Sequence, residues 1–207
     1  MNVLLINGSP HPKGCTYTAL NIVATQLEKN GLSTRMLHVG NKAMHGCIAC
    51  GQCAESGQCV FTDDPVNETI SLLLEADALV VGSPVYYAGP NGALCAFLDR
   101  VFFMRNELYA FKPAAAVVSC RRGGASTSFD RLNKYFTIAR MPVVSSQYWN
   151  SVHGNTPEEV LRDKEGLQTM RALGDNMAWL VKCIAAGKAA GIDHPVMEPW
   201  EPTNFIR

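Results

Sequence analysis

Short apolar runs and longer stretches with helical spacing alternate along the chain. Val3-Leu4-Leu5-Ile6 is the first run, and Leu20, Val23, Ala24 and Leu27 follow at helical intervals. Asn30-Gly31 stops that helix, because Gly takes the left-handed cap without steric cost. Residues 33–39 read as a second strand, in which His38 is structural. Residues 40–63 have no periodicity and are rich in Gly and Cys. A loop of that length inside a domain is usually functional. Asp63-Asp64-Pro65 opens the next helix, with Asp at the N-cap and Pro at the first helical position. Ile70, Leu73 and Leu74 make its buried face, and the two acids serve as cap and dipole partners.

Residues 76–82 form a third strand, near-continuously apolar after Asp77, which suits a parallel strand covered on both faces. Residues 83–92 are the loop after it. Leu94, Phe97, Leu98, Val101 and Phe102 mark a helix that carries the pair Asp99-Arg100. Residues 113–119 are the fourth strand, whose alanines imply close helix packing. Residues 120–126 are a third Gly-containing loop, 127–139 a helix and 142–149 the fifth strand. After a connection at Gly154–Pro157, helical periodicity runs over 158–186 through Val160, Leu161, Leu167, Met170, Leu173, Met177, Leu180 and Ile184. Strands and helices in this alternation predict one doubly wound α/β domain over 1–186, a five-stranded parallel sheet with helices on both faces. With strand order 2-1-3-4-5, the loops after strands one, three and four share one sheet edge, and strands one and three flank the switch point where ligands bind. The tail, 187–207, carries Pro195, Pro199, Pro202 and an exposed-type Trp200. It is expected to pack on the surface or on a neighbouring subunit.

Composition narrows the function. Apolar residues make up 47% of the 207 positions and charged residues 17%, so the chain is globular. Its 18 basic residues balance its 18 acidic ones, which leaves no electrostatic footprint for nucleic acid or an anionic membrane. No apolar run approaches the ~20 residues of a membrane span. The first residues lack a basic region and a long apolar stretch, so no signal peptide is read and the expected location is cytoplasmic. In that compartment disulfides are disfavoured, and eight cysteines turn attention to metal or redox chemistry.

The first strand leads into Asn7-Gly8-Ser9-Pro10-His11-Pro12-Lys13-Gly14-Cys15-Thr16. This loop offers glycines for close backbone approach, hydroxyls at Ser9 and Thr16, a cation at Lys13 and the positive end of the next helix. An ordinary β-to-α turn uses the same residue types, so the loop alone does not separate the two readings. It is neither a Walker loop nor G-x-G-x-x-G. Tyr86 and Tyr87, beside turn residues at the carboxyl end of a central strand, favour a ligand over a core cap. No Ser-His-Asp or Cys-His set stands out.

Gly8-Ser9-Pro10, the run from Cys47 to Asp64, Gly82-Ser83-Pro84-Val85-Tyr86 and Phe97-Leu98-Asp99-Arg100 together resemble the NADPH-dependent FMN reductase branch of the flavodoxin-like superfamily. The likeness spans about residues 1–150. It implies a flavodoxin-like fold and an FMN-dependent oxidoreductase that takes hydride from NADPH or NADH and passes electrons to a flavin, quinone or protein acceptor. It implies that Ser9, Thr16 and the backbone of Gly14 and Cys15 hold the FMN phosphate. Pro84, Val85, Tyr86 and Tyr87 would line the ring and ribityl chain. The loop from Ser119 to Gly124, with Arg121 and Gly123, would meet the pyrimidine end of the ring. Many relatives have Arg where this chain has His11, and often Asn where it has Cys15; Lys13 would supply the missing cation. Arg121 and Arg122 read equally as partners of a reduced flavin or a nicotinamide phosphate and as solvated arginines. A flavin enzyme needs no catalytic triad, because the cofactor carries the electrons. His153 reads as structural. A homodimer or homotetramer is expected, covering the open flavin edge.

Cys47, Cys50, Cys53 and Cys59 have the spacing C-x2-C-x2-C-x5-C. Three thiols at intervals of three on one small loop favour a multi-iron cluster such as [4Fe–4S], each iron taking one thiolate. Zinc prefers two separated C-x2-C pairs and ranks lower. Free thiols are the competing reading. The run resembles that of the iron–sulfur flavoproteins, for which an electron carrier that does not use NAD(P)H directly is the alternative function. Cys15, Cys95, Cys120 and Cys183 are expected to be unligated.

Overall fold

β1 (Asn2–Asn7) is the axis of the sheet. Its residues alternate faces, as a pleated strand requires. Val3 and Leu5 enter one core, Leu4 and Ile6 the other, and all four are essentially inaccessible to solvent. The structure, a computed structural model, describes residues 1–199 and 201–203, with Met104 and Arg105 described by backbone alone. Trp200 therefore lies outside the described residues.

After β1 come α1 (Cys15–Lys29), β2 (Ser33–His38), a short α2 (Gln52–Ser56), α3 (Val66–Glu75), β3 (Ala78–Tyr86), a two-residue β4 (Gly89–Pro90) and α4 (Gly92–Arg105). A 3-10 turn (Asn106–Tyr109) leads to β5 (Ala114–Cys120), α5 (Ala125–Ile138), β6 (Ser151–His153), α6 (Pro157–Val160) and α7 (Lys164–Ala189). The sheet order is β2-β1-β3-β5-β6, every pair parallel, with β4 folded back antiparallel on β3. Without that hairpin the parallel strands run 2-1-3-4-5, as expected, and the fold is flavodoxin-like.

α3, α4 and α5 cover one face of the sheet, and α1 and α7 cover the other. The alanines of β5 serve this double cover. Ala114 and Ala116 face one layer and Ala115 the other, all without solvent exposure. α1 and α7 approach so closely at Gly174 that a Cβ there would lie 2.7 Å from Gln26 Cβ.

Several elements depart from the sequence reading. β3 runs on to Tyr86, so residues 83–86 are strand, and the hairpin to β4 ties them down. The fifth parallel strand is not 142–149 but Ser151–His153. Ala114 donates to Pro142 O and accepts from Val144 N, which makes one isolated bridge at Val143. The chain then leaves the sheet, because the Ser146 hydroxyl accepts from Tyr148 N and donates to Tyr148 O. The last helical stretch is two helices. Asp163 caps α7 by accepting from Gly166 N, and Leu161, in the break, is 56% exposed. α7 continues past 186 to Ala189. At α3, Pro65 and not Asp64 is the N-cap, and Leu74 is 40% exposed rather than buried. The tail turns back at Gly191, and His194 stacks on Phe111 with ring centroids 4.6 Å apart. No described helix is long and apolar enough to cross a membrane.

Candidate functional site

The loops after β1, β3 and β5 meet at the carboxyl edge of the sheet. Gly8 N donates to Gly82 O at 2.9 Å, so β1 and β3 leave the sheet in contact. Asn91 closes the joint. Its Nδ2 donates to Gly8 O, its backbone N donates to the Ser83 hydroxyl, and its Oδ1 caps α4 by accepting from Ala93 N. The loop after β5 is pinned at Gly124, whose φ of +86° admits glycine readily and where a Cβ would lie 2.8 Å from Ala88 Cα. Thr16 and Ser119 bring the first and third loops together through hydroxyls 2.8 Å apart.

Within the first loop, Ser9 and Thr16 are buried. Ser9 Oγ accepts from His11 N, and Ser9 N donates to Asn7 Oδ1. The N-cap of α1 is Gly14, with no side chain capping the helix and no acid in its first turn. The early N–H groups of that helix have no intrahelical acceptor, and they carry the positive end of its dipole. A Cβ on Gly14 would come within 2.9 Å of His11 Cβ. Buried hydroxyls around an uncapped helix start fit a phosphate group. His11 and Lys13 lie on the exposed rim of the loop.

The other expected residues divide by exposure. Pro84 and Val85 are half-buried, Tyr86 is 45% exposed, and Tyr87 is fully exposed in the left-handed region with φ of +51°. Ala88 has the same handedness, with φ of +58°. Arg121, Arg122 and Gly123 are exposed and Ser119 is buried. The half-buried Pro84 and Val85 with the tyrosines fit the flat apolar face of a flavin ring. The side chain of Cys15 meets the chain just after β6, its Sγ 3.7 Å from Gly154 O. Burial, reinforced by Glu159 and Glu158, raises its thiol pKa, and burial raises that of Cys120 as well. Both favour the protonated thiol. His38 is structural, its Nε2 2.7 Å from Ser9 O.

Cys47, Cys50, Cys53 and Cys59 line one cavity, together with Ile48, Phe61 and Arg100. Left-handed turns at Ala49 (φ +52°) and Gly51 (φ +74°) bracket Cys50 and curl the loop inward, and Cys53 follows on α2. Cys47 and Cys50 are exposed, whereas Cys53 and Cys59 are half-buried and pack on the core. No group of three or more His, Cys, Asp or Glu is drawn together as a metal set among the described residues. The donor chemistry fits an iron–sulfur group, since four thiols share an otherwise largely apolar pocket.

Sequence reasoning missed two residues here. Asn91 carried a signal, as an Asn directly before a helix. Arg100 carried none beyond its place in a motif. It is 2% exposed on the buried side of α4, ion-paired to an equally buried Asp64. Burial opposes its charge, but hydrogen bonds to Asp64 and Cys59 outweigh that and raise its pKa above the usual value. Asp64 also accepts from Val66 N at the start of α3, so it joins helix capping to this buried pair.

Comparison with known proteins supplies the family. A family model described as NADPH-dependent FMN reductase matches residues 1–156. An iron–sulfur flavoprotein of Methanocaldococcus jannaschii is 33% identical over 195 residues, covering 89% of this chain and 99% of the relative. An iron–sulfur flavoprotein of Methanosarcina thermophila is 29% identical over 176 residues, covering 82% of this chain and 90% of the relative. A solved flavodoxin from the domain Archaea superposes with a TM-score of 0.60 at 15% identity, covering 88% of this chain and 99% of that one, which speaks to the fold alone. The chain belongs to the NADPH-dependent FMN reductase family and is, at that level, an FMN-dependent oxidoreductase.

Proposed function

We propose that the protein is an FMN-dependent oxidoreductase that takes hydride from NADPH or NADH and passes electrons to a small-molecule or protein acceptor, with Cys47, Cys50, Cys53 and Cys59 as the residues that would hold an iron–sulfur cluster. The uncapped start of α1, set among the buried hydroxyls of Ser9 and Thr16, carries this reading. Bound FMN supplies hydride acceptance and electron transfer, and a bound cluster supplies single-electron exchange. Ser9, Thr16 and the first N–H groups of α1 hold the phosphate. Ser9 Oγ already accepts from His11 N, so its own proton is directed to a further acceptor. Thr16 and Ser119 share one hydrogen bond and keep one hydroxyl proton to donate. Pro84, Val85, Tyr86 and Tyr87 would line the ring and the ribityl chain. Arg121 and Arg122, on the exposed rim, offer charge to a reduced ring or a nicotinamide phosphate.

A second reading is an electron carrier that uses no NAD(P)H directly, for which the four thiols lining one pocket are the supporting observation. Anaerobic stopped-flow mixing separates the two. Rapid loss of the oxidised flavin absorbance with NADPH or NADH is expected; no bleaching by either leaves the carrier. The chain is further proposed to act as a homodimer or homotetramer, so light scattering at micromolar concentration is expected to return more than the monomer mass.

A further inference from the structure

We infer that Arg100 is a positioning residue of the cysteine site. It holds Cys59 as the fixed member of the four thiols, and its N–H groups on that sulfur raise the reduction potential of the cluster bound there. This rests on the reading above, that the four thiols hold an iron–sulfur cluster.

The first observation is how the guanidinium is divided. A buried cation needs a partner, and Asp64 provides one, its Oδ2 accepting from Nη1 and its Oδ1 from Nη2 at 3.3 Å. Asp64 thus takes the Nη1–Nη2 edge, and the guanidinium keeps a second two-donor edge, Nε–Nη2. Here that edge faces sulfur, with Nε 3.2 Å and Nη2 3.1 Å from Cys59 Sγ. A neutral thiol is a weak acceptor, whereas two charged donors suit a thiolate or a metal-bound sulfur.

The second observation is that, among the described residues, Cys59 alone of the four has its backbone clamped by a core helix. Asn67 of α3 accepts from Cys59 N at 2.8 Å and donates to Cys59 O at 3.0 Å. Backbone and sulfur are thus both fixed, while Cys47 and Cys50 stand exposed on the curled loop. Hydrogen bonds to cluster sulfurs, like nearby positive charge, favour the more negative reduced state and so raise the potential. Asp64 offsets the net charge of Arg100, which leaves the two N–H donors as its local influence.

The test uses the full chain, reconstituted anaerobically with FMN, iron and sulfide. Iron content and an EPR-monitored redox titration are compared between the wild type and Arg100→Lys, which keeps the charge and loses the fork. FMN content and circular dichroism report whether the variant folds. A potential lower by ~59 mV or more is expected, a tenfold change in a one-electron equilibrium. A measurement on the wild type makes the outcome independent of that variant. With 15N-labelled arginine, the reduced cluster is expected to show a 15N coupling that survives Arg121→Lys/Arg122→Lys. An unchanged potential in folded Arg100→Lys overturns the inference, as does absence of the coupling, and the cluster reading then stands. A wild type that takes up no iron overturns both.

Discussion

Ser9 and Thr16 are small residues with a large expected effect. Each hydroxyl bond to a phosphate oxygen is charge-assisted and contributes about 1.5–3 kcal/mol. Ser9→Ala and Thr16→Ala are each expected to raise the Kd for FMN by about tenfold or more, read by quenching of FMN fluorescence. Gly40 acts on the same loop from outside. A Cβ there would lie 2.2 Å from Ser9 O, and backbone cannot move aside as a flexible side chain can. Gly40→Ala is expected to weaken FMN binding although it touches no ligand, and equal affinity would show that the loop tolerates the shift. The thiols allow a prediction with a sign. Burial raises the pKa values of Cys15, Cys95 and Cys120, so at a given pH less of each is thiolate, the reactive form. Iodoacetamide at pH 8 is expected to modify exposed Cys183 well before these three, followed by mass spectrometry of peptides. The sequence made such cysteines visible as residues but not as environments. Arg100 shows the same limit: burial and the choice between Asp64 and Cys59 arise only when α4 packs beside the cysteine loop.

At the scale of elements, apolar runs and capping residues announced β1, α1, β2, α3, α4, β5 and α5 to within a few positions. The error at 142–149 has a physical source. Val143 and Val144 favour extended backbone, but propensity does not say where a strand pairs. Pairing with β5 resumes only at Ser151, after the Ser146–Tyr148 turn. β3 extends beyond its apolar run for a related reason. Ser83 and Pro84 read as turn residues, yet β5 holds Pro84 in register opposite Ser119 and the β4 hairpin takes up the next two residues. In the sequence Asp163 is one position within a long helical pattern. It accepts from Gly166 N to start α7 and from His153 N to hold β6. Asp163→Ala is therefore expected to destabilise the fold by about 0.5–2 kcal/mol, with Asp163→Asn recovering part of the loss because it keeps an acceptor at the cap. Equal midpoints in urea for wild type and Asp163→Ala would contradict this.

For the whole molecule, the sheet brings together three loops that are far apart in sequence, and a ligand spanning them ties the folded state together. Saturation with a ligand that binds only the native state stabilises it by about 2.7 kcal/mol at 100 times Kd. In a domain of this size each kcal/mol moves Tm by about 2–4 °C. FMN at that excess is expected to raise Tm by about 5–10 °C in a thermal melt, and riboflavin, which lacks the phosphate, by clearly less. Equal shifts for the two would mean that the α1 cradle is not where the affinity lies.

The cysteine segment is tied to the frame at both of its roots. At one, His38 and Gly40 sit against the Ser9 backbone and Val39 N donates to Asn7 O; at the other, Asp64 is locked to Arg100 and to the start of α3. Between them the chain adds no strand to the sheet. Residues 41–62 thus lie outside the strand register and are held by side-chain contacts. A change of length there is expected to leave the pairing of the parallel strands intact and to disturb only the core contacts of Met44, Cys53 and Cys59.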